Sequence, residues 1–331
     1  MIKIIFIYWD KSFSKAPNVI QKCLSSWKLK NTTWSIIQID TSNLKDYINL
    51  EKEIPNLNKK NITPTSYSDI IRVCLLEKYG GCWCDASTFC VKSLDSWFTQ
   101  ELGSSDFFAF SNKPPKMAKE PKIISSLFLY SKSTSYIIKR WKQEVISYWN
   151  HHNEMDNYFW FHLLFTKLYK KDSIFRKEWK KIKKVSNIPS HVLKREGLMS
   201  PINLKIKKHI KDKQAPIYKL THKFKKEHYR KNCILDYLLR KIKLRFIHIP
   251  KNGGSSIEEA ARNNNIKWGK YDDSLIKKKK PPNTWHTPQK VSGLCFCVIR
   301  CPYDKIISQF YHEHKISEYS QKNLNNFIKK K

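Results

Sequence analysis

Apolar runs and helix-spaced apolar stripes alternate through the first third of the chain. Residues 2–8, I-K-I-I-F-I-Y, read as a strand, and residues 16–29 place Val19, Ile20, Cys23, Leu24 and Trp27 on one face of a helix. Residues 34–39 predict a second strand. Residues 68–79 predict a helix closed by Gly80, and residues 81–84 begin a third strand. Strand and helix units in this order predict an α/β fold with a mostly parallel sheet covered by helices.

The middle of the chain is more helical. Residues 113–122 form a loop rich in Pro and Lys, and helices are expected over 134–148 and 157–169. From about residue 200 to 243 the chain becomes basic and weakly patterned, broken by Pro201 and Pro216, with a short helix at 233–239. A new β-α unit starts at Leu244: a strand over 244–249, a turn, and a helix over 257–263. Another strand is expected over 296–299, after a charged loop at 277–280. The expected organisation is a first domain over 1–225, a basic linker over 226–243 and a second domain over 244–331.

Charge changes this picture. The net charge is +35, and residues 1–110, with 13 basic and 11 acidic side chains, hold almost none of it. Such a field attracts nucleic acid, anionic lipid, acidic polysaccharide or phosphorylated cofactors. Only nine of the 63 basic residues are Arg, the side chain suited to bidentate phosphate and base contacts. No helix-turn-helix, zinc-finger or RNA-recognition signature accompanies them, which argues against a nucleic-acid-binding protein.

No apolar run reaches membrane-spanning length, and the N-terminal run is too short for a signal segment. The nine cysteines are therefore expected to be reduced and the protein cytoplasmic, with peripheral membrane contact open to it. Cys82/Cys84 and Cys295/Cys297 are C-x-C pairs in strand-like runs. Alternation puts both members of a pair on one sheet face, as small core residues. The C-x-x-C spacing of a zinc site is missing.

The first candidate chemistry lies in Ser66 to Thr88, S-Y-S-D-I-I-R-V-C-L-L-E-K-Y-G-G-C-W-C-D-A-S-T. Ser68 is placed to cap a helix that opens with Asp69, and Arg72 shares its face three residues later. A charged pair on a helix otherwise this apolar implies an ion pair or a ligand cleft. Gly81 allows close backbone approach. Asp85 falls at the C-terminal edge of the sheet, where open α/β folds bind ligands.

The segment resembles glycosyltransferases of the capsular-polysaccharide-synthesis type, related to Asp-x-Asp transferases with a GT-A fold. Tyr8-Trp9-Asp10 looks like that family's strand-end aromatic pair. The stretch from Asp156 to His162 looks like its acidic-aromatic helix, and the stretch from Ala215 to Lys223 looks like its closing segment. The similarity covers about residues 1–225. It implies a nucleotide-sugar donor, with Trp9 near the base and Asp69 and Arg72 on the sugar or ribose. It also implies that Asp85 faces the diphosphate through Mn or Mg, and that Gly81 and Asp156 belong to the donor site. The family's second carboxylate position holds Ser87, so Asp156 or His162 would complete the metal shell.

The second candidate is F-I-H-I-P-K-N-G-G-S-S-I, Phe246 to Ile257, with V-I-R-C-P-Y-D-K-I-I-S-Q-F from Val298 to Phe310. Lys251, Asn252, Gly253, Gly254, Ser255 and Ser256 form a strand-to-helix turn that exposes successive N–H groups to an anion. Ser255 and Glu258 have capping-box spacing. Arg300 and Ser308 suit a second phosphate.

These motifs resemble the two phosphate sites of PAPS-dependent carbohydrate sulfotransferases. The resemblance implies a P-loop-like α/β domain, PAPS on both motifs, and charge stabilisation by Lys251. His286, in W-H-T-P between the motifs, is a candidate base near neutrality. This similarity spans about residues 244–312, so the second domain is expected to be incomplete. The combined reading is a bifunctional enzyme that glycosylates a glycan or polysaccharide acceptor and sulfates a carbohydrate hydroxyl. The alternative keeps one activity, with the other domain as a docking module.

Overall fold

The computed structural model describes residues 1–112, 121–224, 232–239, 244–246, 253–263 and 294–296. The chain divides into two units, Met1–Arg240 and Lys241–Lys331.

The first unit is built on a five-stranded sheet of β1 (Ile4–Tyr8), β2 (Ser35–Ile39), β3 (Gly81–Asp85), β5 (Phe107–Ser111) and β6 (Ile124–Ser131), in the order β2-β1-β3-β6-β5. Its inner strands β1, β3 and β6 are buried on both faces and do not alternate apolar with polar positions. On β1, Phe6 and Tyr8 enter one core while Ile5 and Ile7 enter the other; on β3, Trp83 faces the first and Cys82 and Cys84 the second. The C-x-C pair on β3 thus shares a face as small core residues. α1 (Asn18–Lys30) packs Ile20, Leu24 and Trp27 into the second core.

The first core receives α4 (Pro64–Tyr79), α6 (Tyr136–His151), α7 (Trp160–Lys171) and α8 (Ser173–Lys181). Short helices α2 (Leu44–Tyr47) and α3 (Leu50–Glu53) lead into α4, and α5 (Phe98–Leu102) precedes β5.

The sheet is mixed, which corrects the expectation of a mostly parallel one. β1 pairs in parallel with β2 and β3, but β6 runs antiparallel to both β3 and β5. β5 and β6 were not anticipated as strands. Neither F-F-A-F-S nor I-S-S-L-F-L-Y-S alternates apolar and polar positions, and burial on both faces is the reason.

The helix carrying Asp69 and Arg72 also begins earlier than expected. Thr63 caps it by accepting from the Ser66 N–H, and Pro64 occupies the first turn, where its missing N–H costs nothing. Ser68 therefore lies inside the helix and is no cap.

The basic stretch after residue 200 is more ordered than its composition suggests. α9 (Ile188–Glu196) is followed by α10 (Leu204–Lys211), β7 (Ile217–Lys219) and α11 (Ile234–Leu239). β7 pairs antiparallel with β4 (Thr88–Cys90), with Lys219 opposite Thr88. α11 buries Ile234, Leu235 and Leu238, and its first residues bond to Leu198 and Ser200, so part of the expected linker packs within the first unit.

In the second unit, β8 (Leu244–Phe246) pairs in parallel with β9 (Leu294–Phe296), and α12 (Gly254–Asn263) lies between them in sequence. α12 starts three residues before the expected point, so Ser255 and Ser256 sit in its first turn and Ser255 is not its cap. Gly253 precedes it at φ +76°, a left-handed position suited to glycine. Gly254, Glu258 and Ala261 form its buried face, while Ser255 and Ser256 are exposed.

Candidate active site

The parallel register places Asp85 of β3 opposite Tyr8 of β1, so the residues that follow both strands meet at one sheet edge. There, α4 turns Asp69 and Arg72 toward β3. Arg72 Nη2 lies 3.0 Å from Asp69 Oδ1 and 3.2 Å from Asp85 Oδ1. Its Nη1 donates to the Ser126 carbonyl at 3.0 Å, its Nε donates to the Ser68 carbonyl, and Nη2 also reaches Ser68 Oγ. The guanidinium lies between the Trp83 ring, 5.0 Å from its centroid, and the Phe161 ring at 5.3 Å. Arg72 is buried, and all three of its guanidinium nitrogens meet protein partners.

Asp85 is held from three directions. Oδ1 accepts from Trp83 Nε1 at 3.0 Å and meets Arg72, while Oδ2 accepts from Lys219 Nζ at 2.5 Å. Burial works to raise its pKa, but Lys219 and then Arg72 outweigh it and hold the carboxyl below its ordinary range. Asp69 behaves oppositely. Burial dominates over its Arg72 contact, with Asp85 adding repulsion, and its carboxyl is pushed up to about 7. Two carboxylates share one guanidinium here, and the one that also has Lys219 keeps the charge.

His162 of α7 closes the inner side. Its Nε2 is 3.1 Å from Ser126 Oγ, and its Nδ1 is buried with no protein partner. Burial, aided by the charges of Arg72 and Lys122, lowers it to about 3, so the imidazole is neutral at physiological pH.

Trp9 is half-buried just past β1. Its N–H bonds to the Ile39 carbonyl, and its ring meets His222 edge-on at 5.0 Å. Gly81 has φ +91°, and a Cβ there would stand 2.9 Å from the Ile4 carbonyl. Its close approach is to the backbone of β1.

Asp156 is not brought into this cluster. It is exposed and receives the Tyr148 hydroxyl at 2.6 Å, and Tyr148 in turn accepts from its backbone N–H. A hard cation needs several oxygen donors. Both Asp85 oxygens are already bound to cationic or N–H donors, Ser87 stands where a second carboxylate would, and no group of three His, Cys, Asp or Glu side chains among the described residues converges on a common point. This donor set does not fit Mn or Mg.

Lys219 is the site residue that sequence reasoning left without a role. It lies 134 positions from Asp85, inside the 215–223 segment whose resemblance had been noted. The spacing of charged residues cannot reveal such a partner; only the β4–β7 pairing does. Lys251, Asn252, His286, Arg300 and Ser308 lie outside the described residues.

The sequence pattern of the family described as "Capsular polysaccharide synthesis protein" matches residues 1–238. The chain belongs to that family. No match was found among curated proteins.

Solved structures similar to this family member include the PaToxG glycosyltransferase, at 17% identity over 63% of this chain and 83% of that one, with a TM-score of 0.36. Mouse xyloside xylosyltransferase 1 in its apo form matches at 11% identity, over 67% of this chain and 98% of that one, with a TM-score of 0.37. The apo-form glycosyltransferase GlyE of Streptococcus pneumoniae matches at 12% identity, over 81% and 73%, with a TM-score of 0.33. The family match alone carries the assignment. No helix among the described residues is long and apolar enough to cross a membrane.

Proposed function

We propose that the first unit transfers a sugar from a nucleoside-diphosphate sugar to a hydroxyl of a glycan or polysaccharide acceptor. The observation that carries this reading is Asp85, charged at the open edge of β1 and β3 and held between Arg72 and Lys219. In the reaction, the acceptor oxygen bonds to the anomeric carbon and the bond from that carbon to the diphosphate oxygen breaks. The electron pair leaves with the diphosphate, and the acceptor proton passes to solvent. Trp9, beside His222 at the same edge, is the candidate platform for the base. The six described cysteines are free and buried, which supports a reducing, cytoplasmic setting.

A panel of radiolabelled nucleotide sugars tests the proposal. Wild type is expected to turn over at least one donor, and Asp85→Asn to lose roughly a hundredfold or more in kcat. Full activity in that variant would remove Asp85 from the site.

A second reading concerns the unit Lys241–Lys331: sulfuryl transfer from PAPS to a carbohydrate hydroxyl. It is favoured by the strand–glycine-turn–helix order of β8, Gly253 and α12 and by the parallel β8–β9 pairing, an arrangement compatible with a phosphate loop. Isothermal titration with PAP is the test. Saturable binding that Lys251→Ala abolishes would support it, and no heat of binding would leave the unit a docking module.

A further inference from the structure

A nucleotide-sugar transferase must set positive charge against the departing diphosphate. A divalent cation bound by carboxylates can supply it, or basic side chains can. The surroundings of Asp85 decide between these, given the donor reading above, on which this inference rests.

Four charged groups meet at the edge of β3. Asp69 and Arg72 are sealed from solvent, with side chains 8% and 4% exposed, whereas Asp85 and Lys219 remain about one-fifth exposed. Lys219 is therefore the cation at the open side. It is delivered by β7, which pairs with β4 so that Lys219 stands opposite Thr88, three positions past Asp85. An ammonium carries three donors, and Asp85 Oδ2 is the one partner described for this one. Asp85, in turn, has Oδ1 taken up by Trp83 and Arg72 and Oδ2 already facing the Lys219 ammonium, a cation where a metal would have to stand.

We propose that Lys219 supplies the charge against the donor diphosphate in place of a divalent cation, with Asp85 and Arg72 fixing where its ammonium stands. Lys219 donates to the diphosphate oxygen as the anomeric bond breaks. Asp85 is then a positioning residue for Lys219. The raised Asp69 pKa agrees with this, because a protonated Asp69 leaves Arg72 and Lys219 facing a single carboxylate.

The test is thermal shift of the full chain, dialysed against EDTA, with UDP, GDP, CDP and dTDP as probes, each with and without Mn²⁺. At least one probe is expected to raise Tm equally in EDTA and in Mn²⁺. Lys219→Ala should lose about tenfold or more in apparent affinity for it. Lys219→Arg should keep the metal-free response, which separates lost charge from lost fold. Lys219→Asp, which sets a second carboxylate beside Asp85, should respond only with Mn²⁺. A wild-type shift that needs Mn²⁺ would overturn the proposal, as would a Lys219→Ala response equal to wild type. Silence toward every probe in both conditions would instead overturn the nucleotide-sugar reading, and this proposal with it.

Discussion

Asp69 and His162 titrate in opposite senses. An unfolded Asp69 releases its proton near pH 4, whereas the folded carboxyl keeps it up to about 7. Its contribution to stability is fully present below pH 4 and is lost as pH rises through 7. Asp69→Asn is therefore expected to melt roughly 2–4 °C or more above wild type at pH 8, with the gap closing as pH falls toward 4, checked by circular dichroism. His162 works the other way. The unfolded imidazole takes up a proton near 6.5 that the folded one refuses until about 3, so stability falls as pH drops across that window. His162→Gln, which can still meet Ser126 Oγ, should flatten the acid limb of the Tm–pH curve. Arg72 is the residue on which both sides depend. Arg72→Ala strips partners from Asp69, Asp85 and the Ser126 carbonyl, and should cost roughly 3–5 kcal/mol in urea unfolding.

At the scale of elements, the turn from α4 into β3 is the most constrained piece of backbone. Gly81→Ala meets both a left-handed φ and the Ile4 carbonyl, while a Cβ on Gly103 meets nothing within 4 Å. Gly81→Ala should cost roughly 3 kcal/mol or more, and Gly103→Ala about 1, compared by urea midpoints. Both glycines of that turn were legible in the sequence, as were β1, α1, β2 and the helix bearing Asp69 and Arg72, because each carries a local signal: a period, a cap or a breaker. β5 and β6 were not, since burial on both faces erases alternation. Nor was the sense of the sheet, which is fixed by pairing between β3 and β6 across about forty residues. The site divides in the same way. Asp69, Arg72 and Asp85 sit in one short motif and His162 lies in a second segment whose resemblance pointed to the site, while Lys219 and Ser126 reach them only through tertiary packing.

At the scale of the molecule, the first unit extends past the boundary that composition suggests. A fragment ending at residue 225 forfeits α11 and the buried Cys233, Ile234, Leu235 and Leu238. A fragment ending at Arg240 keeps them and should melt several degrees higher, since each buried aliphatic side chain contributes on the order of 2 kcal/mol. Scanning calorimetry of the two fragments makes the comparison. The β4–β7 ladder has a consequence in time as well as in space. Asp85 and its guanidinium partner arise within twenty residues, but the ammonium that meets them arrives only after more than a hundred further residues have been made and folded. In a chain emerging from the ribosome all five strands of the sheet are therefore made well before the charge centre can close, and any pause in synthesis before Lys219 leaves Asp85 with Arg72 but without its ammonium.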